Sequence, residues 1–284
     1  MTKRSTAWVM GMIGIGALGT IPVNAQPVLP DFSDATFDDS SAQITHPYLP
    51  FTPGKTYRYE AQSIDPDTGE MEDEQIIVEV LNQTRVVAGI ESRVVHDRVF
   101  LEGLLIEDTF DWYAQDTDGN VWYVGENVTD FEYDDDGNLI ATSHPGAWET
   151  GVDGALPGYI MPATLNVGDS YFQEFYAGEA EDYAEITGVG ETFTVPGLDT
   201  FEDVLRTKDF SLDPSTFAYK LYAPEIGLIA EREFNTDTGA LLEIVNLASV
   251  VVPEPGTAML ALGGVVGLFS SRRKKFTLAC RRRA

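Results

Sequence analysis

Short runs of alternating apolar and polar side chains, repeated along most of the chain, constrain the fold more than any other feature of this sequence. The run at residues 55–60 sets Tyr57 and Tyr59 against polar neighbours, and residues 76–80 and 228–234 alternate in the same way. Side chains two residues apart share one face of a β-strand, and aromatic and β-branched residues favour strands. No helical period longer than two turns interrupts these runs, so the sequence predicts a domain built of strands.

Turn sequences rich in Asp, Asn and Gly separate the runs, at residues 65–69, 116–120, 134–138 and 235–239. Such turns supply the positive-φ positions that tight hairpins need, and consecutive hairpins make an antiparallel sheet. We therefore predict one all-β domain over residues 46–248, either an antiparallel sandwich or a curved, partly closed barrel-like sheet. Residues 154–158 and 212–215 are predicted to form its longer loops.

Acidic residues dominate the chain between its two ends. The sequence carries 46 acids and 18 bases, a net charge of −28, and residues 26–252 hold 45 of the acids but only nine of the bases. Binding to a nucleic-acid backbone relies on Lys and Arg, so this charge excludes a nucleic-acid reader. Residues 26–45 contain few apolar side chains, which predicts an acidic, disordered leader. The single cysteine, Cys280, leaves the body without a thiol nucleophile, a Cys-ligated metal or a disulfide.

The N-terminus has the three parts of a secretory signal peptide. Two bases precede an apolar run over residues 7–21, and Val-Asn-Ala precedes Gln26. This order of positive charge, apolar stretch and small-residue cleavage site is typical of a cleaved signal. The sequence therefore predicts a signal peptide at residues 1–25, cleavage after Ala25, and a mature chain outside the cytoplasm.

The C-terminus combines a Pro-Glu-Pro motif at residues 252–256, an apolar segment at 257–271 and a basic tail at 272–284. At a rise of about 1.5 Å per residue, the apolar segment is short for a bilayer core of about 30 Å, so we predict a marginal transmembrane helix. The tail holds seven bases and no acid, which places it on the cytoplasmic side and the acidic body outside. The first four of these bases are Arg272, Arg273, Lys274 and Lys275.

This arrangement resembles the PEP-CTERM sorting signal of Gram-negative bacteria, which the membrane protease-transpeptidase exosortase recognises. Pro253, Glu254 and Pro255 correspond to the motif, and the resemblance covers residues 252–275 of a C-terminal region that we delimit at 249–284. It implies transient retention in the inner membrane, cleavage near the motif, and delivery to the cell surface or extracellular matrix. Exosortase and the secretion machinery are the partners that it implies, and a plain tail anchor is the alternative.

The body resembles an uncharacterised family of secreted bacterial proteins along nearly its whole length. The segments that carry this resemblance are residues 47–57, 111–116, 119–123, 201–205 and 222–228. The resemblance implies an intact secreted domain. It implies no activity, so that any role of the domain has to be argued from its own residues.

The acidic turns are the candidates for a metal site, because Ca²⁺ prefers oxygen ligands and such ligands cluster on short loops. Asp116 and Asp118 lie in one turn, and Asp134 and Asp136 lie in the next. Neither turn has the spacing of the EF-hand loop, and both have the composition of a hairpin connection. We therefore favour acidic hairpins without a cofactor. Ca²⁺ at these four residues is the alternative, because divalent ions would relieve the repulsion among the acids of the body.

Aromatic side chains cluster at residues 112–113, 122–123 and Trp148. Outward-facing rings beside carboxylates would form a platform for extracellular polysaccharide, whereas rings packed between strands would belong to the core. The alternation sends one ring of each pair to either face of the sheet. The large area of each ring favours burial over the platform.

Paired carboxylates are the candidates for catalysis, since glycoside hydrolysis uses two of them. An acid-rich body brings some carboxylates together by chance, so proximity alone is weak evidence. Glu179, Glu181 and Asp182 form the densest group, and we predict a solvated sheet edge there. No nucleophile elbow and no His-Glu-x-x-His helix is present, so we assign no catalytic residue.

These observations favour an exported cell-surface or matrix protein with a structural or binding role over an enzyme. The alternatives are a surface polysaccharide hydrolase that uses paired carboxylates, and a carrier for an apolar ligand. The shape of the interior discriminates among them. A flat acidic surface favours the first, a water-filled carboxylate cleft the second, and a dry apolar hollow the third.

Overall fold

The computed structural model describes residues 26–64, 69–134 and 136–252, and they form an all-β domain, as predicted. Within these ranges, one short 3-10 helix, Phe32–Asp34, precedes fifteen strands. The strands are β1 (Thr56–Ile64), β2 (Met71–Val87), β3 (Ile90–Leu101), β4 (Leu104–Gln115), β5 (Val121–Tyr133), β6 (Leu139–Ser143), β7 (Trp148–Glu149), β8 (Leu156–Met161), β9 (Ser170–Phe172), β10 (Glu174–Phe175), β11 (Tyr183–Thr194), β12 (Thr200–Phe210), β13 (Thr216–Ala223), β14 (Gly227–Asn235) and β15 (Leu241–Val251).

Most neighbours in the sheet are also neighbours in the sequence. Strands β5, β4, β3, β2 and β1 lie side by side in that order, and β15, β14, β13, β12 and β11 continue the sheet beyond β1. The pairing of Thr56 with Val251 and of Ser63 with Glu243 joins the two halves along β1 and β15. All of these pairs are antiparallel, so the predicted sequential hairpins are confirmed.

The two ends of this sheet meet in one short segment. Only Gln173 separates β9 from β10, yet β9 pairs with β11 at one end of the sheet and β10 pairs with β8 at the other. The sheet therefore curls into a nearly closed, barrel-like form, which decides between the two predicted architectures. A Cβ atom on Gly158 would lie 2.1 Å from the carbonyl oxygen of Phe172, so glycine permits this closure. The loop predicted over residues 154–158 is wrong in part, because Leu156, Pro157 and Gly158 belong to β8.

Apolar side chains pack on both faces of the sheet. The larger cluster fills the interior and includes Tyr57, Val95 and Leu205. A smaller cluster lies on the outer face of β3 to β5 and includes Trp112 and Trp122. The sheet therefore needs a covering layer outside these strands as well as a filled interior.

The N-terminal segment supplies that cover, so the predicted disorder of residues 26–45 is wrong. The rings of Phe32 and Phe37 lie 5.1 and 6.4 Å from the Trp122 ring. The N–H of Gln115 also donates to the carbonyl of Ser41 at 2.8 Å. The segment has few apolar residues, but they are large and pack on the outer apolar cluster of the sheet. The average composition of the segment does not show where these residues lie.

The strands end at Val251, slightly beyond the predicted domain boundary at residue 248. The compact unit that contains the sheet also ends at Val251. The predicted signal peptide at residues 1–25 and the predicted transmembrane helix at 257–271 lie outside the described residues. Among the residues that are described, no helix has the length and apolarity to cross a membrane.

Candidate functional site

Alternation along the strands sends some polar side chains into the interior of the curled sheet. Glu107, Thr109, Asp111 and Tyr113, at every second position of β4, line a cavity of about 270 Å³. Residues of β3, β5, β8, β10 and β13 complete its wall, together with Gln173 and Asp182 from the segments between strands. We call this space the carboxyl cavity, because six acids line it: Asp97, Glu107, Asp111, Glu126, Glu174 and Asp182.

Tyr123 and Glu126 both face this cavity although they are three residues apart in β5. A bulge shifts the register here: Tyr113 of β4 pairs with Tyr123, and the residue before it in β4 pairs with Gly125. The φ angle of Gly125 is 147°, and a Cβ atom there would lie 2.7 Å from the carbonyl oxygen of Trp148. Glycine therefore permits the bulge that turns Glu126 inward.

One tyrosine hydroxyl links two of the cavity carboxyl groups. The Tyr123 hydroxyl lies 2.5 Å from Oδ1 of Asp111 and 3.0 Å from Oε2 of Glu126. Burial raises the pKa of Glu126 to about 9 and the pKa of Asp111 to about 7. Because the hydroxyl has one proton to donate, it serves both groups when Glu126 is protonated and Asp111 accepts the hydrogen bond. The arrangement is a short chain along which a proton can be shared.

Glu174 lies on the other side of the cavity and accepts a hydrogen bond from the Trp148 indole. Burial, with the nearby Asp182 carboxylate, raises the pKa of Glu174 to about 8. Burial also raises the pKa of Asp182 to about 6, against the opposing charge of Lys220. The solvated edge predicted at residues 179–182 is therefore wrong for Asp182. Its carbonyl accepts the N–H of Gln173 at 2.8 Å, which holds the residue beside β10 and over the cavity.

A second cavity of about 200 Å³ adjoins the first and shares Lys220 and Asp182 with it. Its other acids are Asp209, Glu231, Glu233 and Glu243. The Lys220 ammonium lies 3.3 Å from Oδ2 of Asp209. The carboxylate of Glu231 is the main cause that raises the pKa of Lys220 well above its usual value, so this lysine stays charged. Burial raises the pKa of Glu243 to about 8.

An apolar pocket of about 230 Å³ opens from the same interior, with Tyr57 and Val78 among its walls. It reaches Asp97, Asp111 and Lys220, which also line the carboxyl cavity. Oδ1 of Asp97 is shielded from solvent and lacks a hydrogen-bond partner within the described part of the chain. Burial raises the pKa of Asp97 well above its usual range. An unpartnered carboxyl oxygen therefore lies where the apolar and acidic spaces meet.

Ten carboxyl groups line these three adjoining spaces, and Lys220 is the one basic residue among their lining side chains. Closely spaced acids in a partly buried site repel one another, which favours protonation of some and attracts cations to the rest. Burial raises the pKa of Asp182 to about 6 and that of Asp111 to about 7, close to neutral pH. The site can therefore bind positive charge and exchange protons when it does so.

The four predicted calcium ligands lie outside this cavity and in two separate turns, at opposite ends of β5. Asp116 is buried, and its carboxylate accepts hydrogen bonds from its own turn and from the Trp122 indole. Asp134 accepts the same set from its own turn but is exposed, as are Asp118 and Asp136. Across residues 26–64, 69–134 and 136–252, no three His, Cys, Asp or Glu side chains are arranged to hold a metal ion. Calcium binding by these turns stays the alternative to acidic hairpins without a cofactor.

The five aromatic side chains considered as a polysaccharide platform are all buried, with at most 8% of any residue exposed. The favoured interpretation, burial in the core, is confirmed. Tyr113 and Tyr123 stack inside the sheet with ring centroids 4.9 Å apart, and Trp112 and Trp122 belong to the outer cluster. Of the acids in the carboxyl cavity, only Asp182 belongs to a group that sequence reasoning singled out.

The C-terminal residues match a known family. Residues 251–274 match the profile of the PEP-CTERM protein-sorting motif. The chain carries a PEP-CTERM sorting motif. This motif marks the protein for export, for processing by an exosortase and for a cell-surface or extracellular location, as the sequence predicted. The predicted processing residues lie outside the described residues: Ala25, Pro253, Glu254, Pro255, Arg272, Arg273, Lys274 and Lys275.

Two solved structures are similar to the body of this protein. One, from Bacteroides fragilis, is described as an exported protein with a YmcC-like fold; it is 14% identical, the match covers 73% of this chain and 100% of that one, and the TM-score is 0.39. The other, from Parabacteroides distasonis, is described as a lipoprotein, with 9% identity, 72% and 99% coverage and a TM-score of 0.31. At these scores neither structure bears on the role of the cavity. A search of curated proteins found no match to this sequence.

Proposed function

We propose that the protein is an exported binding protein that is anchored transiently in the inner membrane and then released to the cell surface or extracellular matrix. The position of the sorting motif supports the release step. The motif begins at residue 251, where β15 ends. Cleavage near residues 253–255 would remove no residue of any described strand, so the domain would leave the membrane with its sheet complete.

The release step is tested by the intact mass of the protein in membrane and medium fractions, with and without the exosortase gene. We expect a chain that begins near Gln26 and ends near residues 253–255, recovered outside the inner membrane. A variant with alanine at Pro253, Glu254 and Pro255 should keep its tail and stay in the membrane. Released, tail-less protein from cells that lack the exosortase would contradict this step.

For the exported domain, we propose a binding role toward an organic cation that carries an apolar group. The observation that carries this proposal is the excess of ten carboxyl groups over one lysine in connected spaces that also have an apolar wall. The positive group would lie beside the unpartnered Oδ1 of Asp97, and the apolar group would fill the pocket near Tyr57 and Val78. Burial of both parts would combine charge pairing with the hydrophobic effect.

The binding role is tested by calorimetry of the full chain with octylammonium and with 1-octanol, which has the same apolar length without the charge. We expect tighter binding of the cation, and a release of protons at pH 7 because a bound cation lowers the pKa of the cavity acids. Asp97→Asn should weaken binding of the cation, while Glu132→Gln, a change at an exposed residue of β5, should leave it unchanged. Equal affinity for the alcohol and the ammonium would overturn this role.

A second candidate function is hydrolysis of a polysaccharide, favoured by the chain from Glu126 through Tyr123 to Asp111. Two carboxyl groups whose pKa values differ, one near 9 and one near 7, have the relation of a general acid to a base or nucleophile. The test is the appearance of new reducing ends when the full chain is incubated with soluble polysaccharides. Turnover that both Asp111→Asn and Glu126→Gln abolish would support hydrolysis, and absence of any turnover would favour the binding role.

A further inference from the structure

A second feature of the sheet, on the face opposite the carboxyl cavity, is a row of aromatic rings. In β9, β11, β12 and β13, partly exposed aromatic residues stand next to the buried residues Tyr171, Ala184, Asp209 and Ala218, so by alternation they lie on the outer face. Two of them, Phe210 and Phe217, are also among the residues that line the second cavity. Five outward rings, one from each of five neighbouring strands, form what we call the outer row. It consists of Phe172 (β9), Tyr183 (β11), Phe210 (β12), Phe217 (β13) and Phe234 (β14).

The rings of the outer row follow one another across the strands without a break. The centroid distances are 5.9 Å from Phe172 to Tyr183, 4.7 Å from Tyr183 to Phe210, 6.4 Å from Phe210 to Phe217 and 5.5 Å from Phe217 to Phe234. The strand register explains the alignment, since Tyr183 pairs with both Phe172 and Phe210, and Phe217 pairs with Phe234. The row is therefore a straight aromatic strip perpendicular to the strands.

Among the described residues, the rings of the outer row are not part of a hydrophobic core. None of its five rings belongs to either buried cluster or to the partly buried side chains packed against them, and each residue is partly exposed. The outer face of β4 and β5 is different, because Phe32 and Phe37 cover Trp122 there. Partly exposed aromatic side chains that run across five strands form an apolar surface of the kind that marks interaction sites.

Positive charge accompanies the strip in an otherwise strongly acidic body. The Lys208 ammonium lies 3.9 Å from the centroid of Phe217 and 4.9 Å from that of Phe210. Glu185 is opposite Lys208 in the strand register, but among the described residues Lys208 takes part in no ion pair. Arg206, 5.6 Å from the ring of Tyr219, lies two residues away on the same face and pairs with Glu191. The strip thus presents an ammonium group that lacks a carboxylate partner.

We propose that the outer row binds a linear anionic polysaccharide, independently of the ligand of the carboxyl cavity. Aromatic faces pack on the apolar C–H faces of sugar rings, and one ring per strand offers a polymer repeated contacts along a line. The Lys208 ammonium pairs with the carboxylate groups of such a polymer. Residues 26–252 carry 45 acids and nine bases, so a polyanion is repelled elsewhere on the body and approaches where cations and rings coincide.

The test is affinity electrophoresis of the full chain in gels that contain alginate, a carboxylated polysaccharide, or dextran, an uncharged one. We expect retardation by alginate that weakens about tenfold in Tyr183→Ala and in Phe217→Ala, and that weakens in Lys208→Gln and at high salt. Ile140→Ala removes an exposed apolar side chain of β6 outside the row, so it should bind alginate as the unchanged protein does. Glu132→Gln, at an exposed residue of β5, should also leave alginate binding unchanged.

Three results would overturn the proposal. The first is the absence of retardation by alginate in the unchanged protein. The second is equal retardation by dextran and alginate, because the charge of Lys208 would then have no part. The third is self-association of the protein, measured by light scattering, that the Tyr183 and Phe217 variants abolish while alginate binding persists, since the row would then be a contact between copies. Far-ultraviolet circular dichroism of each variant checks that loss of binding is not loss of fold.

Discussion

Two sets of carboxyl groups in this protein respond to folding in opposite directions. In the carboxyl cavity, burial raises the pKa of Glu126 to about 9 and that of Asp111 to about 7. In the turn at residues 134–138, hydrogen bonds from Asn138 lower the pKa of Asp134. The first set lies inside the sheet against few donors, and the second lies in water with donors supplied by its own turn. Both sets consist of carboxyl groups, so the environment of each group sets the direction of its pKa shift.

This difference changes how an acid-rich sequence should be interpreted. Acids in turns are satisfied by backbone N–H groups and stabilise the hairpins that contain them. Acids inside the sheet destabilise the folded protein when they are ionised. A ligand or a reaction would explain why the protein retains them despite this loss of stability. The interior set, not the more conspicuous acidic turns, is therefore where function is expected.

The largest expected effect is on the pH dependence of stability. The folded protein keeps protons on Asp182, Asp111, Glu174, Glu243 and Glu126, whose pKa values are raised to between about 6 and about 9. The unfolded chain releases these protons at the ordinary values of 3.8 for Asp and 4.5 for Glu. Unfolding then releases protons, so the free energy of unfolding should fall as the pH rises from 5 to 9. Since one pKa unit corresponds to about 1.4 kcal/mol, we expect a total fall of several kcal/mol.

Urea unfolding of the full chain at several pH values between 4 and 9 measures this dependence. Burial lowers the pKa of His46, which acts in the opposite sense, but one histidine does not offset five carboxyl groups. A free energy of unfolding that rises between pH 5 and pH 9 would show that the cavity acids are ionised in the folded protein. The contrast between the two sets of acids would then be wrong.

Replacing one cavity acid isolates a single member of the set. Glu126→Gln keeps the size and a donor for the Tyr123 hydroxyl but removes the ionisation, so it should raise the free energy of unfolding at pH 9 by about 3 kcal/mol. Near pH 4 the unchanged protein holds this proton in both states, and the gain should vanish. Glu132→Gln is the matched control, since Glu132 is an exposed residue of the same strand. A gain of equal size at both pH values would instead indicate better packing.

Much of the fold could be predicted from the sequence because it rests on local patterns. A few residues are enough to recognise the alternation at Tyr57 and Tyr59 and the Asp-Gly turn at residues 116–120. The structure has a strand at the first and a hairpin at the second. Closure of the sheet could not be predicted, since residues 170–175 divide between β11 at one end of the sheet and β8 at the other, and the sequence does not show which strands pair. The packing of Phe32 on Trp122 could not be predicted either, because the average composition of the N-terminal segment is polar.

The carboxyl cavity could not be predicted from the sequence, because it too depends on how strands pair. A strict period of two places Tyr123 and Glu126 on opposite faces, and the bulge at Gly125 brings them together. A glycine inside a strand is the one signal of such a bulge in the sequence, and it does not say which side chain turns inward. Lys220 and Asp209 meet only because β12 and β13 pair, which an isolated strand does not reveal.

The turn at residues 116–120 tests the other side of the comparison with a smaller effect. Asp116 is buried and accepts a 2.8 Å hydrogen bond from the Trp122 indole besides those of its own turn. Asp116→Ala would leave that buried donor without a partner, so we expect a loss of about 2 kcal/mol in the free energy of unfolding, measured in urea at pH 7. Asp116→Asn, which keeps an acceptor oxygen, should recover part of the loss. An unchanged midpoint would mean that water reaches the indole.

The smallest expected effect is at the matching exposed turn. Asp134 accepts hydrogen bonds from Asp136 and Asn138, as Asp116 does from its own turn, but the side chain lies in water. In Asp134→Ala the released donors turn to solvent, so the urea midpoint at pH 7 should move much less than in Asp116→Ala. The lowered pKa of Asp134 fixes the sign of its pH dependence: its contribution is present above the unfolded pKa and fades as the pH falls through the folded value. Equal losses in the two turns would show that turn hydrogen bonds, rather than burial, decide what an acid contributes here.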